Sequence, residues 1–130
     1  MNPVSGQPHA LGRHLLADLH GVAPELLMNP GLIEKLLIEA ARVAGATPIF
    51  SKFHLFGEGQ GVTGVVLLKE SHISIHTWPE YEFAAVDVFM CGDCRPELAV
   101  QWLKDALRPA TVDFKEQVRG QMLEATVIDA

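Results

Sequence analysis

The sequence predicts an α+β protein: a two-layer αβ sandwich with helices on one face of a mainly antiparallel sheet. Three observations lead there. Two stretches repeat apolar residues at helical spacing, four short β-like runs lie between them, and a further strand-like run flanks the set at each end. The resulting order of strand, helix, four strands, helix and strand suits segregated layers.

Leu11 to Leu19 reads as the first strand. Asn29-Pro30 then offers an N-cap followed by proline at the first helical position. Leu32, Ile33, Leu36, Leu37, Ala40, Val43 and Ala44 form one face of that helix, opposite Glu34, Lys35, Glu39 and Arg42. Gly45 stops it. The four β-like runs cover 47–56, 62–69, 71–78 and 82–91, with turn signals at Gly57-Glu58-Gly59-Gln60-Gly61 and Pro79-Glu80. Pro96 opens a second amphipathic helix carrying Leu98, Ala99, Trp102, Leu103, Ala106 and Leu107. Thr111 to Val118 reads as the last strand. Residues 1–9 look like a disordered lead-in and 120–130 like a weakly ordered tail. No linker divides the chain, so 1–130 is expected to be a single domain.

The run 82–91 bears on assembly. Ala84, Val86, Val88 and Met90 alternate with Phe83, Ala85, Phe89 and Cys91, so both faces are largely apolar. A sheet covered by helices on one face is normally polar on the other. A second copy of the chain is the economical cover, giving a homodimer.

Composition narrows the function. A net charge of -6 supplies no basic stripe for nucleic acid or an anionic membrane. The longest apolar stretches are too short to span a bilayer, and Met1 to His9 is unlike a signal peptide. Two cysteines make no disulfide framework, so free thiols in a cytoplasmic chain are expected.

Reactive side chains are densest in Glu70-Ser71-His72-Ile73-Ser74-Ile75-His76-Thr77-Trp78-Pro79-Glu80. On a strand, Ser71, Ile73 and Ile75 point one way and His72, Ser74 and His76 the other. The plainest reading is a half-buried strand with a solvated polar face. His72-x3-His76 with Cys91-x2-Cys94 imitates a zinc signature. Residues four apart on a strand are about 13 Å apart, however, whereas two ligands of one zinc ion lie within about 4 Å. No metal is therefore expected. A triad of Ser71, His76 and Asp87 or Asp93 lacks a Gly-x-Ser-x-Gly elbow. Cys91 and Cys94 as a redox pair lack a thioredoxin-like βαβ context.

Gly61-Val-Thr-Gly-Val-Val, the Glu70–Glu80 run, and Ala84-Ala-Val-Asp-Val-Phe-Met-Cys-Gly-Asp93 together resemble the short prokaryotic S-adenosylmethionine decarboxylase proenzymes. The resemblance extends from Gly12-Arg13-His14 to Arg119-Gly120. It implies an αβ sandwich that dimerises into four αββα layers. It also implies a proenzyme that cuts itself between Glu70 and Ser71 into 1–70 and 71–130, leaving a pyruvoyl group made from Ser71. Ser71 would attack the Glu70 carbonyl, convert the amide to an ester, and eliminate. His76 is implied as the proton-transfer residue in processing. Thr63 stands where relatives usually have an assisting serine, and keeps the hydroxyl.

The pyruvoyl carbonyl would then form a Schiff base with the substrate amine and act as an electron sink. Cys91 matches the family's proton donor, and a thiol is largely protonated at neutral pH yet easily relieved of its proton. Phe56 and Trp78 match aromatic platforms for adenine and a cationic sulfonium. Glu80 matches an acceptor for ribose hydroxyls. The implied product is the aminopropyl donor of spermidine biosynthesis.

Lys69, Glu82 and a longer Gly57–Gly61 loop depart from the usual pattern. An added carboxylate near the pocket would suit a basic substrate, so a pyruvoyl-dependent ornithine or arginine decarboxylase is the alternative enzyme. By strand alternation, though, Glu82 points with Ala84, Val86 and Met90, away from Cys91. An uncleaved regulatory relative is the alternative from another class. It would have no chemical reason to keep Ser71, His76 and Cys91 together.

Overall fold

The computed structural model of the chain describes residues 8–123, and the side chains of residues 10–122. Six strands form one antiparallel sheet: β1 (Pro8–His20), β2 (Pro48–Leu55), β3 (Val62–Leu68), β4 (Ser71–Trp78), β5 (Phe83–Cys91) and β6 (Thr111–Leu123). Their order across the sheet is β2-β3-β4-β5-β1-β6. Helices α1 (Pro24–Leu27), α2 (Pro30–Val43) and α3 (Pro96–Leu107) complete the α+β architecture.

The helices begin where side chains satisfy or excuse free backbone donors. Asn29 Oδ1 accepts from the Leu32 N–H at 3.1 Å, and Pro30 supplies a first-turn residue with no N–H to satisfy. Pro96 does the same for α3. Gly45, at φ +85°, closes α2 in a conformation that suits glycine.

Alternation sorts the sheet into two faces. Leu15, Val66, Ile73, Ile75, Val88, Leu19 and Ala84 are fully buried beneath Ile33, Leu37, Leu103 and Leu107 of the helices. Each such leucine or isoleucine contributes about 1.5–3 kcal/mol by leaving water. The opposite face carries His14, Leu16, His72, Ser74, His76, Ala85, Asp87 and Phe89 in neighbouring register. Nothing packs over that face among the described residues, and Phe50, Leu16 and Leu67 are 58%, 38% and 41% exposed there.

Several expected boundaries shift. Residues 1–7 and 124–130 of the expected lead-in and tail lie outside the described residues. Pro8 and His9 instead extend β1, and residues 120–123 extend β6, because Pro8 pairs with Leu123 and His9 with Met122. β5 begins at Phe83, one residue later than expected. Glu82 caps a 3₁₀ turn over Pro79–Tyr81 in the left-handed region, φ 51°, so strand alternation does not set its direction. The four-residue α1 is too short to show as a sequence period.

Candidate active site

β3 and β4 are joined by only two residues, Lys69 and Glu70, since Leu68 pairs directly with Ser71. The Glu70 carbonyl accepts from the Cys91 backbone N–H at 3.0 Å. That donor polarises the carbonyl a nucleophile at Ser71 would attack, and remains to stabilise an oxyanion. The turn is held from below by Thr47, whose N–H donates to Glu70 Oε1 at 3.0 Å and whose carbonyl accepts from the Lys69 N–H at 2.9 Å. Ser71 itself has φ +149°, outside the region L-residues favour. Cys91, the last residue of β5, is half-buried beside it. Cys94 turns elsewhere: its Sγ donates to the Gly45 carbonyl at 3.7 Å. Burial, and then the charges of Glu70, Cys91 and Asp93, push its thiol above the ordinary value.

The second cluster stands at the other end of the β3–β4 pair. Thr63 Oγ1 lies 3.1 Å from His76 Nδ1, in directly opposed positions. With Phe56, Gln60, Gly61, Thr77, Trp78 and Glu80 they line a cleft of about 330 Å³. Phe56 and Trp78 present exposed rings, and Trp78 lies 6.4 Å from the His76 ring. Thr77 forms the floor. Its buried Oγ1 accepts from the Val62 N–H at 2.8 Å and donates to the Leu27 carbonyl at 2.7 Å. Gly61 must be glycine, because a Cβ there would sit 2.1 Å from the Thr77 carbonyl oxygen.

The structure thus gathers Glu70, Ser71 and Cys91 at one end, and Thr63, His76, Phe56, Trp78 and Glu80 at the other. It does not bring the two groups together within one chain. Ser71 and His76 are five positions apart on one strand, about 16 Å at 3.3 Å per residue. A hydrolase triad within the protomer is excluded by the same distance. His72 and His76 share a strand face at about 13 Å, too far to chelate one ion. Between the clusters His72 packs edge-on to Phe89 beside His14 and Asp87. Burial first, and then the neighbouring His14, lower the His72 pKa, with Asp87 opposing.

Gln60, Gly61 and Thr77 stand in the turn and motifs read from the sequence, but none of them is assigned to the site there. Thr77 had a usable signal. It shares strand parity with Ile73 and Ile75, so its hydroxyl had to be buried and bonded.

The site thus sets a serine at the exit of a two-residue hairpin and a thiol at the end of the neighbouring strand, on an antiparallel sheet backed by helices. The sequence pattern described as S-adenosylmethionine decarboxylase matches residues 13–120. The S-adenosylmethionine decarboxylase proenzyme of Caldicellulosiruptor saccharolyticus is 47% identical over 113 residues, 86% of this chain and 90% of that one. The proenzyme of Methanococcus aeolicus is 46% identical over 115 residues, covering 88% and 97%. The crystal structure of the adenosylmethionine decarboxylase from Aquifex aeolicus superimposes with a TM-score of 0.83 at 42% identity, covering 88% of this chain and 95% of that one. The chain belongs to the S-adenosylmethionine decarboxylase family. These matches do not favour the ornithine, arginine or regulatory alternatives.

Proposed function

We propose that this protein cuts itself between Glu70 and Ser71 and then decarboxylates S-adenosylmethionine, producing the aminopropyl donor for polyamine synthesis. We further propose that the working site is shared between two chains. The observation that carries the second point is the separation of the two clusters to opposite ends of the β3–β4 pair, with His76 at one end of the open face and Cys91, beside the Glu70–Ser71 bond, at the other. A two-fold axis lying between two such faces and crossing the strands sets the His76 end of one protomer against the Ser71 end of its partner. The exposed Leu16, Leu67 and Phe50 would be covered by the same pairing.

In self-cleavage, Ser71 Oγ bonds to the Glu70 carbonyl carbon and the peptide C–N bond breaks. The hydroxyl proton ends on the freed amine, with His76 and Thr63 of the partner as the relay. Loss of the Ser71 Cα proton then expels Glu70 as a carboxylate. Tautomerisation and addition of water release ammonia and leave a pyruvoyl group at position 71. Ser71, with its carbonyl carbon still in the chain and the Cys91 amide beside it, fits that product. The group would supply an electron sink for the bonding pair left on the substrate α-carbon as carbon dioxide departs. Cys91 Sγ then delivers a proton to the substrate α-carbon. Phe56 and Trp78 flank adenine, and Glu80 accepts from the ribose hydroxyls. Both thiols are free, which supports a cytoplasmic setting.

The test is complementation between two inactive chains. Ser71→Ala and His76→Ala should each stay whole when purified alone. Mixed dimers from co-expression should contain a cleaved His76→Ala chain, because its Ser71 meets the histidine of the other chain. Failure of either pure variant to lose cleavage refutes the residue roles. Mixed dimers that stay whole refute the shared site.

A further inference from the structure

We infer that the Lys69–Glu70 turn forces Ser71 into a backbone conformation meant for glycine, and that this strain primes the Glu70–Ser71 bond for cleavage. The inference rests on the self-cleavage reading above and adds to it the device that positions the bond.

Two-residue hairpins prefer type I′ or II′ turns, which need positive φ at the first central residue and match strand twist. Neither Lys69 nor Glu70 has positive φ here. A hairpin turned the other way recovers its register by placing the following residue at positive φ, a position that glycine normally fills. That residue is Ser71, at +149°. The only other non-glycine residues at positive φ among those described are Glu82 and Arg108, both at +51° to +52°, where the left-handed region is mild. Ser71 is therefore the outlier, and it is the residue whose peptide bond must break.

Strain of this kind persists only where the surroundings hold it. Three hydrogen bonds do so. Thr47 grips the turn twice, through Lys69 N–H and Glu70 Oε1, and the Cys91 N–H holds the Glu70 carbonyl. The α2–β2 connection, anchored by Cys94 Sγ on Gly45 and Arg95 N–H on Ala44, carries Thr47 to this place. Glu70 is a positioning residue: its side chain reaches no reacting atom, but fixes the carbonyl that does react. Once the C–N bond opens to the ester, the peptide torsion at Ser71 no longer has to be satisfied, so the strain favours the acyl shift.

Two measurements test this, one independent of cleavage. Ser71→Ala and Ser71→Gly are both unable to cleave, and their melting temperatures can be compared at equal concentration. In an ordinary strand glycine is the less stable of the two. Here Ser71→Gly should melt higher than Ser71→Ala, and an equal or lower value overturns the strain. The second measurement is the rate of fragment formation by denaturing mass analysis. Glu70→Ala, which loses the Thr47 bond, should cleave at least tenfold more slowly than the wild type. Glu70→Gln, which keeps an acceptor for Thr47, should recover most of the rate. Hydroxylamine, which cuts esters, should release no additional fragment from Glu70→Ala, placing the loss at the acyl shift. Wild-type cleavage with an equally fast Glu70→Ala, or extra hydroxylamine fragments, overturns the inference alone. A wild-type chain that stays whole refutes the self-cleavage reading and this inference together.

Discussion

Thr77 ties three parts of the molecule together through one oxygen. It reaches α1 through the Leu27 carbonyl and β3 through the Val62 N–H, while its own strand carries His76 and Trp78. Thr77→Val keeps the shape and removes that oxygen. The N–H and carbonyl left behind are buried, and each costs about 1–3 kcal/mol without a partner. Allowing for the apolar methyl gained, the net loss is about 3 kcal/mol. For a chain of this length each kcal/mol moves Tm by about 4 °C, so Thr77→Val should melt about 12 °C lower.

The assay is thermal unfolding in a Ser71→Ala background, where every molecule is one uncleaved species. Protein concentration is held fixed, because association would shift Tm by mass action. Thr77→Ser is the control: it keeps both hydrogen bonds and loses one methyl, about 1 kcal/mol or 4 °C. Thr77→Val matching Thr77→Ser would refute the argument, since the two bonds would then contribute nothing beyond packing.

Cys91→Ala should still cleave but lose about 10²–10⁴-fold in carbon dioxide release, the usual worth of a positioned acid, whereas Cys94→Ala should stay within about twofold; normal turnover by Cys91→Ala would remove the thiol from the mechanism. Glu80→Gln should lower kcat/KM for S-adenosylmethionine about tenfold, in line with about 1.5 kcal/mol for a hydrogen bond to a charged acceptor, while Glu82→Gln leaves it unchanged. Preferential turnover of ornithine or arginine, lost with Glu82→Gln, would reverse that assignment. Because the folded state disfavours the His72 proton, the unfolded chain takes it up first as pH falls. The stability His72 contributes is therefore complete above about 6.5 and is lost below it, and His72→Gln should flatten Tm against pH between 7 and 5. Parallel curves for the two proteins would refute this.

The parts legible in the sequence were those set by local rules. β4 matches its expected span because Ile73 and Ile75 alternate with His72 and His76, and a one-residue slip would put histidines into the core. α2 matches because Pro30 opens it and Gly45 follows its end, and the start of α3 matches because Pro96 opens it, whereas α3 closes on Arg108 in the left-handed region with no glycine to mark it. What escaped depends on contacts distant in sequence. Pro8-His9 and residues 120–123 look like coil alone, yet they pair across more than a hundred residues to lengthen the sheet. Glu82 was given a face by alternation, but it follows a 3₁₀ turn in which alternation does not apply. The residues of the two clusters were readable as types, and their separation was implicit in the strand spacing. Five residues of strand cannot be folded back on themselves, so Ser71 and His76 were never able to meet within one chain.

That last constraint links assembly to chemistry. A lone chain that placed Ser71, the Glu70 carbonyl and His76 together could make its reactive carbonyl as soon as it folded. With the relay proposed above on the far end of the strand, a folded protomer would hold a strained but undriven bond. Under the reading proposed above, association covers the half-apolar face and delivers His76 to Ser71 in a single step. The residues that make the face sticky and those that make it reactive then lie in adjacent registers: Phe89 and Leu67 flank His72, and Ala85 stands opposite His76. A substitution that weakened the face, such as Leu16→Glu, would therefore be felt as lost cleavage before lost fold. Leu16 touches neither cluster, and the helix-covered core is untouched by its charge.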